Sequence, residues 1–442
     1  MNDQQRNQYS NRKLDHCDHD HDDDDDDQID RNDIDCFEPQ LDQIRVNPIH
    51  LRSHRAERFA LASNHFGLEL LQIFGNENDA SKQYENILFS PYSLAVTLSM
   101  VHQGADGESA KELENILRFD DLTVGLLGNR TKVAKAVQHV ENAMHETTKK
   151  SSTKLDWGNM MLVSNELKVK KHFTDTIKRF FDGEVKRTDF HDGSAVVAMV
   201  NDYVTEKTNG LIKKMLEQAP DPGTRLALIN TVYFKGVWAN KFDKQDTTPG
   251  IFYGENGRKY RNVEFMEQTE EVPFARMPEL DADLIVLPYE NNDFAFVGIL
   301  PRNHNADLNR LRNDLNATFI DQMMEETITR KAQIFMPRME VETSYDLLPP
   351  LQKMGMKQLF TPEAELTKMT DEKLMIGKAL HKAKLILNEE GTEAAAGTYI
   401  AAVFGLALGD EPPIFRFDHP FIYLIRHRST GQILFIGEVH RF

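Results

Sequence analysis

Cysteine is almost missing from this 442-residue chain, occurring at Cys17 and Cys36 and nowhere beyond. The remainder has no disulfide framework, so its stability must come from packing. The two cysteines can close a loop, cross-link chains or stay reduced, and their spacing does not choose among these. Long hydrophobic runs are missing too. No stretch approaches the eighteen or more apolar residues of a membrane span, so no membrane-spanning helix is expected. The opening residues Met1-Asn2-Asp3-Gln4-Gln5-Arg6 are polar and lack the apolar core of a secretory leader. Basic charge is scarce where the chain starts. Residues 1–45 hold fifteen Asp and Glu against five Lys and Arg, which is −10 of the total −18. Nucleic acid is therefore not the expected partner. GxSxG, HExxH and a phosphate-binding glycine loop are all lacking, so no enzyme class is signalled and no cofactor is expected.

What is present divides the chain in two. Residues 1–50 are rich in Asp, Asn and Gln, include the aspartates Asp22 to Asp27, and read as a self-repelling, disordered extension. His16, Cys17, His19 and His21 have metal-ligand character, but the plainer reading is a solvated polar run, and no metal is assigned. Such a segment is also suited to capturing a basic partner surface, with an affinity that falls as salt rises. Across the whole chain a 40% hydrophobic content and 26 Phe, all but one of them beyond residue 50, supply a sizeable core. With no internal repeat and no linker after residue 50, residues 51–442 read as one α+β domain.

Periodicity places the elements. Phe59, Leu61, Phe66, Leu68, Leu70, Leu71 and Phe74 recur at helical spacing up to Gly75. A short buried strand over 86–89 leads into Ser90-Pro91, a serine cap with proline at the first helical position. Further helices are expected over 109–117, 132–147, 173–181 and 195–208. Strands are expected over 157–163, 225–238, 274–277, 282–287, 294–300 and 331–337, with a final pair over 421–426 and 432–439.

One stretch fits none of this. Residues 379–387 read as a strand, and Asn388-Glu389-Glu390-Gly391 should end it. From Thr392 to Gly409 the chain is small or apolar with one charge, Glu393, yet it runs between a glycine and the loop-like Asp410-Glu411-Pro412-Pro413. At period two, one face carries Thr392, Ala394, Ala396, Thr398, Ile400 and Ala402, all uncharged. The other carries Glu393, Ala395, Gly397, Tyr399, Ala401 and Val403. An alanine-rich helix over 392–402 suits the propensities equally well, and the local pattern leaves both open.

Five segments in order carry a family resemblance. They are NILFSPYSLAVTLSMVHQGADGES (86–109), VNDYVTEKTNGLIKKML (200–216), LINTVYFKGVWANKF (228–242), ALHKAKLILNEEGTEAAAGT (379–398) and FDHPFIYLIRHRSTGQILFIGEV (417–439). From about residue 55 onward the chain resembles the serpins, serine protease inhibitors. The resemblance implies a metastable fold of three β-sheets and about nine helices, with an exposed reactive-centre loop. It also implies an inhibitor acting as a suicide substrate, in which the cleaved loop enters the central sheet and carries the acylated protease with it. The hinge would be Glu389, Glu390, Gly391, Thr392, Glu393, Ala394, Ala395 and Ala396, small enough for insertion, with Gly397 a mild departure. Ser90, Ser93, Asn230 and His381 match the polar cluster beneath the opening sheet. Trp238 would cap its top, and Arg338 would pair with Glu389 where the family more often has Lys.

By the same resemblance the residue before the scissile bond is Gly405, fourteen after the hinge glycine, with Leu406 following. A shift of one residue would make the bond Phe404-Gly405. Arg416 is the first basic residue after the hinge, so a trypsin-like target is disfavoured. Chymotrypsin-, elastase- or subtilisin-like serine proteases fit better. The acidic extension is similar in layout to that of the heparin cofactor serpin. Arg130, Lys132, Lys135, Lys149 and Lys150 on the fourth helix offer a glycosaminoglycan contact. Asn129 and Asn316 open glycosylation sequons. The expectation is a secreted, extracellular monomer, with a cytoplasmic location as the alternative. The competing function is a non-inhibitory serpin serving as carrier, chaperone or storage protein. That class should place a bulky or charged residue at Thr392 or among Ala394 to Ala396, and this chain does not.

Overall fold

A buried helix and the strands around it organise the molecule. The computed structural model describes residues 48–76, 84–119, 129–304, 308–390 and 411–442. In chain order the helices are α1 (Pro48–Gly75), α2 (Pro91–Gly104), α3 (Gly107–Ile116), α4 (Arg130–Thr148) and α5 (Lys171–Phe180). They continue with α6 (Gly193–Lys207), α7 (Leu308–Asp314), α8 (Ala317–Glu325) and α9 (Leu348–Lys353). The first strands are β1 (Ile87–Phe89), β2 (Lys154–Ser164), β3 (Glu184–Thr188), β4 (Leu226–Lys235) and β5 (Thr248–Tyr253). Next come β6 (Lys259–Met277), β7 (Ala282–Pro288), β8 (Phe294–Pro301), β9 (Ile328–Pro337) and β10 (Met339–Asp346). The last are β11 (Lys378–Leu387), β12 (Ile414–Arg416), β13 (Phe421–His427) and β14 (Ile433–Val439).

Helix α2 starts where its sequence says it should. The Ser90 side chain accepts from the Ser93 N–H, and Pro91 brings a preset φ and no orphan donor. Every residue of α2 is buried, so it is a core element and not a surface helix. Five strands, in the order β10-β11-β4-β2-β3, form one sheet against it. The nine remaining strands form a second network, β1-β14-β13-β8-β7-β6-β9-β12 with β5 on β6. The 19-residue β6 joins two ladders within it. Phe265 to Phe274 pair with β9, and Phe274 to Met277 turn to β7, so two of the three expected sheets share this strand.

Strand boundaries differ from the sequence reading in ways that have physical causes. The strand expected over 225–238 stops at Lys235, and the next residue, Gly236, packs so closely on the Tyr289 ring that a Cβ there would lie 2.4 Å from its Cδ1. The run expected over 274–277 is only the end of β6, whose earlier part carries many charges and is held by main-chain pairing, first with β5 up to Phe265 and then with β9. Strands β3, β5, β10 and β12 were not expected. All four lie at sheet edges, where pairing on one side suffices and the strand needs no alternating apolar run to form.

Candidate functional site

The seam between β4 and β11 concentrates the polar chemistry of the core. These strands run parallel in unbroken register from Lys378 opposite Ala227 to Leu385 opposite Phe234. β4 is buried along nearly its whole length, as expected for a strand covered on both faces. At Leu387 the strand ends, and Asn388, Glu389 and Glu390 follow it. The expected hinge residues Gly391, Thr392, Glu393, Ala394, Ala395 and Ala396, and the bond residues Phe404, Gly405 and Leu406, lie outside the described residues.

Midway along the seam His381 sits opposite Asn230. The Ser90 N–H donates to His381 Nε2 at 3.1 Å, which puts the ring proton on Nδ1, 2.5 Å from Asn230 Oδ1. The two N–H groups of the Asn230 amide are shared among Ser93 Oγ, Thr97 Oγ1 and Asn159 Oδ1, which lie 2.6, 2.9 and 2.6 Å from its nitrogen. Ser90, Ser93, Asn230 and His381 are all fully buried. Burial drives the His381 imidazole down from its usual value to about 3, so it is neutral and fixed in one tautomer. A network of this kind is stable only while every member stays paired. It spans the seam, and separating β11 from β4 breaks it.

The upper end of the seam is closed by a second group. Trp238 stacks on Tyr289, centroids 4.5 Å apart and planes within 9°, and its Nε1 donates to Asn388 O at 2.8 Å. The Phe242 N–H donates to Glu389 O at 3.0 Å. The Glu389 carboxylate is buried; Thr247 Oγ1 donates to it at 2.9 Å and Arg338 Nε lies 3.5 Å away. Arg338 also donates to Glu264 at 2.8 Å, and Lys244 pairs with Glu390. The segment leaving β11 is therefore clamped by four side chains, Trp238, Lys244, Thr247 and Arg338, from two parts of the chain.

Other positions singled out by the sequence lie apart from this seam. Asn129 and Asn316 are exposed helix caps, their Oδ1 atoms accepting from Lys132 N and Phe319 N at 3.0 and 2.9 Å. The capping oxygen leaves each amide nitrogen pointing away from the helix. Arg130 does not belong to an exposed basic row. Its guanidinium turns inward to His102 O at 3.2 Å and Ala105 O at 2.5 Å. Lys132, Lys135, Lys149 and Lys150 are exposed.

Sequence reasoning missed Thr97, Asn159, Thr247 and Tyr289. Thr97 follows Ser93 by one helical turn, and Asn159 interrupts an apolar strand directly opposite Asn230. Both were detectable as polar residues on buried faces. Thr247 and Tyr289 carry no such signal, because their contacts come from distant loops.

Comparison with known proteins closes the identification. The serpin (serine protease inhibitor) family model matches residues 61–442. Iripin-2 of Ixodes ricinus is 32% identical over 381 residues, spanning 86% of this chain and 92% of its own. Leukocyte elastase inhibitor of Xenopus tropicalis is 32% identical over 389 residues, spanning 86% and 99%. The crystal structure of native protease nexin-1 with heparin superposes with a TM-score of 0.76 at 27% identity, covering 88% of this chain and all of that one. The chain belongs to the serpin family.

Proposed function

We propose that this serpin inhibits a serine protease by acting as a suicide substrate whose loop enters the seam between β4 and β11. The hydrogen bond from His381 on β11 to Asn230 on β4 carries the proposal, because it joins the two strands an entering segment must part. A segment turning back from the end of β11 runs antiparallel to both neighbours, which exchanges one parallel ladder for two antiparallel ones. Residues Thr392, Ala394 and Ala396 bring no charge to the inward face. In the reaction the protease serine attacks the carbonyl of Gly405, the Leu406 amine departs with the proton from the protease base, and insertion follows before water reaches the acyl ester. Cleavage between Phe404 and Gly405 is the neighbouring alternative.

With no basic residue near that bond, the target read here is chymotrypsin-, elastase- or subtilisin-like. The exposed lysines of α4 support a glycosaminoglycan contact, and the extension over 1–50, preceding the domain at 51–442, supports capture of a basic protease surface. The exposed sequon residues Asn129 and Asn316 support secretion as a glycosylated monomer. The test is incubation with chymotrypsin, elastase and subtilisin. The expected result is a complex that survives SDS, a cut mapped by mass spectrometry to 405–406 or 404–405, and a large rise in thermal stability after loop cleavage. Complete cleavage with neither complex nor stabilisation refutes inhibition and favours a carrier, chaperone or storage role.

A further inference from the structure

Three side chains with no part in the seam converge where β12 turns towards β13. His304 lies three residues beyond the end of β8, and Asp418 and His419 fill the corner between β12 and β13. Asp418 and His419 are buried, while the His304 side chain is half exposed at the mouth. His419 Nδ1 stands 3.0 Å from Asp418 Oδ1, and His304 Nδ1 stands 3.7 Å from the same oxygen. One ligand atom from each of the three lies within 4.8 Å of the other two. Two ligands bound tetrahedrally to one zinc ion at about 2.0–2.1 Å stand about 3.3 Å apart, so the spacing is already close to that of a metal site.

The hydrogen bonding of His419 sharpens this. Its Nε2 lies 2.8 Å from the Pro301 carbonyl oxygen, which can only accept, so Nε2 carries a proton. In the neutral ring the Nδ1 lone pair then faces the Asp418 carboxylate, one acceptor against another. A cation placed at this corner would take the Nδ1 lone pair and the carboxylate oxygen together as ligands. A backbone carbonyl holding the far nitrogen is the usual support of a metal-ligating imidazole. The His304 ring stacks on His419 with centroids 4.2 Å apart, and its side chain is half exposed.

We propose that His304, Asp418 and His419 bind a first-row divalent cation of the zinc class through two imidazole nitrogens and one carboxylate oxygen, leaving a fourth position to water. The corner they occupy is already pinned by the Phe417 N–H to Phe335 O at 2.9 Å and the Tyr253 N–H to Asp418 O at 2.7 Å. A bound ion adds a tie from the segment after β8 to the segment that follows β12.

The test is zinc titration of the full chain by calorimetry, with thermal unfolding followed in parallel, for the wild type, His304→Ala and Asp418→Asn. The N-terminal histidines and cysteines are a separate source of zinc binding, so the difference between variants is the readout. The expected result is one zinc equivalent whose affinity falls more than about tenfold in either variant, and a zinc-induced rise in Tm lost with it. His304 is half exposed, so its variant should keep the fold and decides the matter if Asp418→Asn does not. Equal stoichiometry, affinity and Tm response in wild type and His304→Ala overturns the proposal, as does the lack of any zinc binding by the wild type.

Discussion

Acidification should loosen the seam through His381, and by an amount that can be worked out. The imidazole is held at about 3 in the folded protein, against about 6.5 in an unfolded chain. Between those values the unfolded state binds the additional proton, so stability rises with pH there and is lost as pH falls below about 6.5. At pH 5 the loss from this residue alone is about 2 kcal/mol, a factor of about thirty in the equilibrium constant. The geometry gives the same sign, since a proton on Nε2 would point at the Ser90 N–H that now donates to it. The comparison needed is His381→Gln, whose amide can accept from Ser90 and donate to Asn230 but cannot charge. Urea unfolding of both proteins at pH 7.5 and 5.0 gives the pH-dependent part of each. His427, which burial lowers to about 4, contributes to both and cancels. The wild type should lose about 2 kcal/mol more than the variant over this range. Equal losses would refute the idea that a neutral His381 holds the seam.

Thr392→Arg should convert the inhibitor into a substrate, because burying an unpaired guanidinium costs several kcal/mol. Gel analysis should show full cleavage and little stable complex, and undiminished complex would contradict insertion. Glu438→Gln should destabilise the fold by about 3–5 kcal/mol in urea titration, by leaving a buried guanidinium without its counter-charge. Arg312 on α7 grips both oxygens of fully buried Glu438 at 2.7 Å; burial alone would raise that carboxyl, but Arg312 and His440 hold it below the usual range. A loss below about 1 kcal/mol would remove the pair from the account of stability. Arg338→Ala should weaken the clamp on Glu389 by about 1 kcal/mol and hasten loss of inhibitory activity on incubation at raised temperature. An unchanged inactivation rate would show that Thr247 and Lys244 suffice.

The chain states its periodicities openly, and they place α2, β4, β11 and the final strand pair within a few residues. The Ser90-Pro91 start of α2 is a local device, and local devices are legible because both partners are near in sequence. The edge strands β3, β5, β10 and β12 were not legible, since what makes them strands is a neighbour's main chain. At the seam Asn230 stands out as a polar residue within an apolar strand, whereas Ser90, Ser93 and His381 are joined to it by the family resemblance. Their hydrogen bonds, and the part played by Thr97 and Asn159, come from strands and a helix widely separated in the chain.

The stretch over 392–402 marks the limit of what residue order decides. Alternation and propensity left strand and helix equally open there, and the described residues stop short of it. The sequence by itself determined the main core elements, the family and the uncharged face of that stretch, because each depends on spacing along one chain. Tertiary structure decided that β11 and β4 meet in unbroken register, that one neutral histidine bonds across them, and that Trp238 and Glu389 close the upper end. Those facts belong to the pairing of distant segments, and only the assembled fold brings such segments within hydrogen-bonding distance.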